Sequence, residues 1–435
     1  MRRVLMISPH FPPDTSAATH RVRLLAPHLA KYGWEPTVVS VDPRDYEDRL
    51  DLGLASLVPR DLRVVRCRAW PVRWTRRLGF GDLGLRAFQG LFRTCADLLR
   101  SEPFDAIFIT IYPTYPALLG PILKRKFGAP FVLDYQDPWV GAWGRVVGPD
   151  GRPDLKSRLT RAVAAKLEPY VVRAADAITA VSRATHEQVQ ARYPDVRRTP
   201  CAEIPVGGEP ADFDSLRRTP KPNPHFDAND GQAHVCFVGT LPPLGLETLR
   251  AVLRATALLR ARRPELSQRL QLHFFGTSGH AASNAPGLVL SVAREIGVDG
   301  CVTELGTRLD YLDALTVQTQ ASAILMTGST EPHYTASRLY PAFLARRPIL
   351  AVFHEDSSVV EVLQTLARPP AARVVTYDDT NRAESRIEAI YAELIALVGN
   401  HVNGPVAIDV ASMREFSAES LAGKLAAVLD QVQGH

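Results

Sequence analysis

Apolar residues recur along this chain as short uninterrupted runs separated by amphipathic stretches. Val4 to Ile7 predicts a buried strand. Thr19 to Tyr32 predicts a helix, with Val22, Leu25 and Leu29 at helical spacing and Pro27 as a kink. Thr37 to Val41, Ala106 to Ile111, Phe131 to Leu133 and Ala177 to Val181 predict further strands, with a helix between the second and third of these. Runs that are apolar on both faces, spaced by helices, predict an α/β class with a parallel, doubly wound sheet.

The pattern breaks at Asp214 to Gln232, DSLRRTPKPNPHFDANDGQ, which is rich in Pro, Asn and Asp and has no apolar period. It reads as a linker. The alternation then restarts. Strands are predicted at Val235 to Gly239, Leu272 to Gly276, Val302 to Leu305, Ala323 to Met326 and Ile349 to Phe353. Helices are predicted at Leu246 to Arg260, Pro286 to Ile296, Leu339 to Ala345 and about Ser417 to Val432. The predicted domains are therefore 1–213 and 233–416, joined by 214–232 and followed by a helix in 417–435. Two such sheets joined by one linker predict a cleft at the C-terminal ends of their strands, where open α/β sheets bind ligands.

Composition narrows the function. Of 435 residues, 46% are hydrophobic and 22% charged, as in a globular protein that needs no disulfide or metal to hold its cores. A net charge of +5 favours phosphorylated ligands or an anionic membrane surface and falls far short of a dedicated nucleic-acid binder. The five cysteines are scattered without a CxxC pair, which argues against a metal site and for a reducing, cytoplasmic setting. The apolar run of MRRVLMIS stops at Pro9, too short for a signal peptide, and no run of about 20 apolar residues predicts a membrane span.

Five stretches carry candidate chemistry. The loop SPHFPPDTSAATHR from Ser8 to Arg21 leads into a helix start, and its His10, Asp14, Thr15, Ser16 and His20 are candidates to line a pocket. An ordinary rigid connection fits the same residues equally well. In LDYQDPW, Asp134 and Asp137 end a strand; Asp137 would bind sugar hydroxyls or shield a developing cation, or instead cap the next helix. Tyr112 closes the neighbouring strand and would line the same pocket. In VGTLPPLGL, Gly239 and Thr240 bring backbone close to a phosphate. Thr335, Ala336, Ser337 and Arg338 begin a helix, where free N–H groups and a guanidinium favour a diphosphate; Ser337 as a plain N-cap is the alternative. Pro341 leaves the start of that helix open between two geometries. Last, Arg66 to Arg93 holds seven arginines against the single acid Asp82, interleaved with Trp70, Trp74, Phe80, Phe88 and Phe92. It reads either as a surface for anionic lipid or a lipid-linked acceptor, or as a mixed segment with aromatics inside and arginines in water.

Taken in order, these segments resemble the family-4-like glycosyltransferases of the GT-B fold over nearly the whole chain. FVLDYQDPW is similar to their "dyrDpW", ADAITAVSRATHEQV to their "ADaitavS", IPVGGEPADF to their "iPnGvdpedF" and SRLYPAFLARRPILAV to their "SKlyeylaagrPila". The resemblance implies two Rossmann-like domains with the last helix crossing back to the first. It implies sugar transfer from a nucleotide-diphosphate sugar to a glycan, lipid-linked sugar or small molecule, with retention. The nucleotide-sugar is a substrate, so no cofactor and no metal are implied. The C-terminal domain would hold the donor and the N-terminal domain the acceptor, in the cytoplasm and peripherally on a membrane if Arg66 to Arg93 meets lipid. Asp137 and Arg338 would act on the reacting sugar and the leaving charge.

Three departures from the family pattern qualify this. Its Glu-x7-Glu pair falls here on His333 and Pro341, with Glu331 two residues earlier as a substitute. Its "GRl…KG" basic residues are absent, since Thr240 follows Gly239 and Leu244 precedes Gly245, and Arg308 is the positional candidate to replace them. Its opening Gly-Gly loop is Thr15 to Ala18. The alternatives these departures raise are a catalytically degenerate GT-B binding or scaffold protein and a nucleotide-sugar epimerase.

Overall fold

A computed structural model describes all residues except 141–154, 243, 279–286, 332–335, 367–370, 400–404, 407–412 and 434–435. The chain divides into two compact units, Met1–Gly207 with Ala418–His435, and Gly208–Ser417.

In the first unit seven strands form one parallel sheet: β1 (Arg2–Ile7), β2 (Trp34–Val41), β3 (Arg63–Cys67), β4 (Ala106–Ile111), β5 (Phe131–Tyr135), β6 (Ala177–Ala180) and β7 (Cys201–Glu203). Their order is β3-β2-β1-β4-β5-β6-β7. Alternation decides the packing. Ile107, Ile109 and Ile111 of β4 join one core and Ala106 and Phe108 the other, because successive strand side chains point to opposite faces. The second core is closed by the C-terminal helix Ala418–Gln433, whose Leu421, Leu425 and Leu429 pack with Val4, Met6 and Trp34. Burial of each such leucine contributes about 1.5–3 kcal/mol. Trp34 Nε1 also donates to Asp430 Oδ1 at 2.8 Å, so the helix is held in register as well as buried.

The second unit repeats the plan with six strands: β8 (Ala233–Val238), β9 (Leu270–Phe275), β10 (Val302–Leu305), β11 (Ala323–Thr327), β12 (Ile349–His354) and β13 (Ala372–Tyr377). The order β10-β9-β8-β11-β12-β13 is the same winding. In each sheet the order reverses between the first and fourth strand in sequence, β1 and β4, or β8 and β11. That reversal opens a crevice at the strands' C-terminal ends, the place where doubly wound sheets take ligands.

Two expectations shift. The helix predicted from Thr19 to Tyr32 is α-helical only over Thr19–Leu25; a 3-10 segment follows from Ala26 to Tyr32, as Pro27 at its start cannot donate to an α-helical ladder. The stretch 214–232 is not a spacer. The boundary lies at Gly207 and Gly208, Asp214 to Arg218 belong to the helix Pro210–Arg218, and the remainder folds onto the second sheet. There Phe226 stacks on His234 (4.4 Å) and His273 (5.0 Å), and the His234 Nε2 lies 3.0 Å from Asp230 Oδ1. Polar side-chain anchors replace the apolar period whose absence suggested a linker.

Candidate active site

The crevice of the second sheet is built on glycine and arginine. Gly239 follows β8 with φ +129°, a conformation that side chains rarely adopt, and an added Cβ would lie 3.3 Å from Arg338 Nη1. Arg338 spans the reversal: Nη1 donates to Thr240 O at 2.8 Å, Nη2 donates to Thr327 O at 3.0 Å, and its Cζ lies 4.5 Å from the Phe237 ring centre. The guanidinium thus ties the ends of β8 and β11 together. No carboxylate among the described residues pairs with it. Its Nε and the Thr327 Oγ1 are both buried without a hydrogen-bond partner among the described residues. Orphaned buried polar groups are costly, and two at one crevice mark a place for a ligand or ordered water. Arg308 also reaches in, with Nη2 3.4 Å from Thr240 Oγ1.

Around this centre the loop after β11 is firmly set. Ser329 O accepts from Tyr377 Oη at 2.7 Å, Ser329 Oγ accepts from Glu331 N at 3.1 Å, and Thr330 N donates to Leu244 O at 3.4 Å. Glu331 therefore stands where the loops after β8 and β11 meet. The helix of the phosphate motif is short, Leu339–Leu344, with Arg338 and not Ser337 in the capping position and no side-chain cap. Ala336 is buried and Ser337 exposed. Pro341 is the third helical residue, where the N–H would have no intrahelical partner anyway, so it costs the helix no ladder bond. Neither geometry left open by the sequence is adopted. His333 and Thr335 lie outside the described residues.

The crevice of the first sheet has different chemistry. After β1, His10 Nδ1 lies 2.5 Å from Asp14 Oδ2, and the same oxygen accepts from Thr19 Oγ1 at 3.1 Å. Asp14 is only 2% exposed. The His10 ring is stacked with Tyr46 (centroids 6.2 Å) and tilted against Tyr112 (5.7 Å), and Tyr112, just past β4, remains 44% exposed. Asp82 lies close enough for the His10 charge to lower its carboxyl, although crowding by protein outweighs this and leaves it above the usual carboxylate value. Thr15 and Ser16 serve the loop itself, Thr15 donating to Arg49 O at 3.3 Å and Ser16 accepting from Ala18 N at 3.4 Å. Tyr46 and Asp82, which no local pattern marks, join the pair through tertiary structure.

The two aspartates of LDYQDPW part company. Asp134 is wholly buried and bidentate to Arg21, Nε–Oδ2 at 2.9 Å and Nη2–Oδ1 at 2.6 Å, while Arg21 Nη1 donates to Ile204 O and Pro205 O. Asp137 lies beyond the end of β5, open to water yet crowded by protein, and this burial pushes its carboxyl up to about 6. The arginine-rich segment also divides. Arg66, Arg68, Arg76 and Arg86 are engaged by backbone carbonyls or by Asp45 and Glu47. Facing water are Trp70 and Trp74, 53% and 55% exposed, together with Arg68, Arg73, Arg76, Arg77 and Arg93, and Arg73 and Arg77 lie against the Trp74 ring. No helix among the described residues is long and apolar enough to cross a membrane.

Residues 16–207 match a family model described as a glycosyl transferase 4-like domain. No curated protein matches the chain. Among solved structures it is similar to a glycosyltransferase from Rickettsia africae ESF-5, with TM-score 0.60 and 12% identity over 99% of this chain and 98% of that one. It is also similar to Anabaena Alr3699/HepE in complex with UDP-glucose, with TM-score 0.58 and 14% identity over 99% and 100%. A third is an α,α-trehalose-phosphate synthase (UDP-forming) from Burkholderia vietnamiensis, with TM-score 0.57 and 13% identity over 99% and 100%. At such identities the likeness is one of fold.

Proposed function

We propose, from the match of residues 16–207 to a glycosyl transferase 4-like domain and from the likeness of fold to solved glycosyltransferases, that this chain moves a sugar from a nucleotide-diphosphate sugar to an acceptor. The observation that carries the donor half is Arg338, a guanidinium fixed by two strand-end carbonyls with no described carboxylate to neutralise it. A diphosphate supplies that missing charge and acceptors for the orphaned Nε–H and Thr327 Oγ1. In the transfer step Arg338 would stabilise the charge that develops on the leaving diphosphate. Gly239, Thr240, Arg308, Ala336 and Ser337 would complete the phosphate contacts. Glu331 is the candidate for the ribose hydroxyls that a carboxylate at the Pro341 position holds in the family, and the outlying His333 and Thr335 stay in that proposal.

UDP-sugars are the first donors to try, because the Anabaena protein was crystallised with UDP-glucose and the Burkholderia synthase is UDP-forming. Retention and independence of a bound metal follow from the resemblance alone. The first unit would take the acceptor at His10, Asp14, Thr15, Ser16, His20, Tyr112 and Asp137. A lipid-linked acceptor is favoured by the exposed Trp70, Trp74, Arg73 and Arg77, a pairing of aromatic and basic groups suited to an anionic interface. Flotation with anionic liposomes at low salt tests this contact, and a protein left wholly at the bottom of the gradient would dismiss it.

Release of UDP from UDP-glucose, UDP-N-acetylglucosamine and UDP-galactose tests the main reading. Arg338→Ala should lower it about 100-fold or more; an unchanged rate would remove Arg338 from the chemistry. The replacement of the family's two glutamates by His333 and Pro341 supports a second reading, a nucleotide-binding scaffold without turnover. Binding of UDP with no release from any donor would favour it.

A further inference from the structure

We infer that Tyr377 is a positioning residue of the donor site: it fixes the loop from Ser329 to Glu331 and so sets how strongly a ribose is preferred over a 2′-deoxyribose, a role that rests on the transferase reading above and on Glu331 as the group that meets the ribose hydroxyls.

Three residues carry the loop, and each has an anchor. Tyr377 Oη donates to Ser329 O at 2.7 Å. Thr330 N donates to Leu244 O at 3.4 Å. Ser329 Oγ accepts from Glu331 N at 3.1 Å. The first anchor comes from furthest away, since Tyr377 ends β13, 48 positions along the chain. Its hydroxyl is held from the other side by Thr248 Oγ1, which donates to it at 3.2 Å from the first turn of the helix Leu246–Arg262. A phenol has one proton to give, and accepting from Thr248 leaves that proton for Ser329 O. Tyr377, Thr248 and Ser329 are all buried, so water does not compete for these bonds. Burial raises the phenol above its ordinary value in spite of the Thr248 bond, and it stays protonated at neutral pH. The second anchor is built in as well. Leu244 holds φ +56°, a left-handed backbone uncommon outside glycine, and strain of that kind persists only where the surroundings over-determine it.

What the loop presents is Glu331. It is half-buried, and its carboxylate meets no hydrogen-bond or ion-pair partner among the described residues. A carboxylate accepts through two oxygens, as two vicinal hydroxyls require. A site built to hydrogen-bond a hydroxyl rejects the analogue that lacks it, provided the bonding group is held in place. The diphosphate contact does not pass through Tyr377, because Arg338 is fixed by Thr240 O and Thr327 O. Loss of the Tyr377 bond therefore separates the two contacts, loosening the ribose side and sparing the phosphate side.

Calorimetry on the full-length protein with UDP, 2′-deoxy-UDP and inorganic pyrophosphate tests this. The wild type should bind UDP about tenfold more tightly than 2′-deoxy-UDP, the scale of one charge-assisted hydrogen bond. Tyr377→Phe removes one oxygen and keeps the ring. It should bind UDP about tenfold more weakly, reduce the ribose preference to about twofold or less, and leave pyrophosphate affinity within about twofold of wild type. Ser329→Ala removes the acceptor of Glu331 N and should give the same pattern; it carries the test if Tyr377→Phe does not fold. Glu331→Gln should also lose the preference with pyrophosphate unaffected. A general loosening of the unit would instead weaken all three probes together, and that result overturns the inference. So does a wild-type ribose preference in either folded loop variant. Equal wild-type affinity for UDP and 2′-deoxy-UDP overturns it as well, and leaves the diphosphate site standing. If the wild type binds neither UDP nor pyrophosphate, the transferase reading falls and takes the inference with it.

Discussion

Arg21 and Arg338 are both fixed arginines near the C-terminal ends of parallel strands, one in each unit, and they do opposite things. Arg21 meets Asp134 in a bidentate pair with both side chains fully buried, and its third nitrogen goes to Ile204 O and Pro205 O. Every charge in that group is answered, so it holds helix, strand and loop together and offers nothing to a ligand. Arg338 is gripped as firmly, by Thr240 O, Thr327 O and the Phe237 ring, but by dipoles and a π face only. No carboxylate among the described residues answers its charge. The carboxylates show the same contrast three positions apart: Asp134 is satisfied, whereas Asp137 has no cation among the described residues and its carboxyl rises to about 6. Both arginines are held by several partners; the lack of a described carboxylate beside Arg338 is what separates it from Arg21.

The comparison can be broken in order of expected effect. Arg21→Ala leaves Asp134 charged, buried and unpaired, a loss on the order of 3–5 kcal/mol. Chemical unfolding should show it, and a loss below about 1 kcal/mol would mean the pair is not the clamp described. Arg338→Ala should do the reverse, cutting turnover by about 100-fold with a much smaller change in unfolding midpoint. Equal destabilisation in the two variants would erase the distinction. Asp137→Asn probes the unpaired carboxylate through pH. A carboxyl raised in the folded state stays protonated while the unfolded chain ionises, so it weakens the fold as pH climbs from about 4 to about 6 and fully above that. The asparagine variant should therefore be the more stable protein at pH 7.5, with the advantage gone below about pH 4; parallel stability curves for the two proteins would show that the carboxyl is not perturbed.

How much of this was legible before the structure depended on how local each cause is. The central strands could be read because both their faces are buried: Ala106 to Ile111 was bounded to the residue. Of the edge strands only β10, Val302 to Leu305, was bounded as well; the others were not seen. β3, RVVRC, presents arginines at the sheet margin; β7 has three residues; β13 is buried only in part. Gly239 and Arg338 each stood out within a local pattern, a glycine turn after a strand and a basic residue at a helix start. The partners that give those residues meaning did not, because Thr327 and Phe237 reach Arg338 only through strand pairing. Arg21 and Asp134 lie 113 positions apart, and nothing local in either segment announces the other. His10 and Asp14 were both visible as polar loop residues, yet their pairing depends on the fold of the loop and on Tyr46 behind it. The 214–232 segment misled for a related reason: its anchoring is done by His234, Asp230 and Phe226, side chains whose partners no periodicity reveals.

The central claim is that the guanidinium of Arg338, at the second sheet's reversal, is a diphosphate site. The most direct test is calorimetric titration of the full-length protein with UDP, wild type against Arg338→Ala. The account predicts that the wild type binds and that the variant binds at least about tenfold more weakly, the loss of one charge-assisted contact of about 1.5–3 kcal/mol. Equal affinity in the two proteins would contradict it, as would a wild type that binds no UDP.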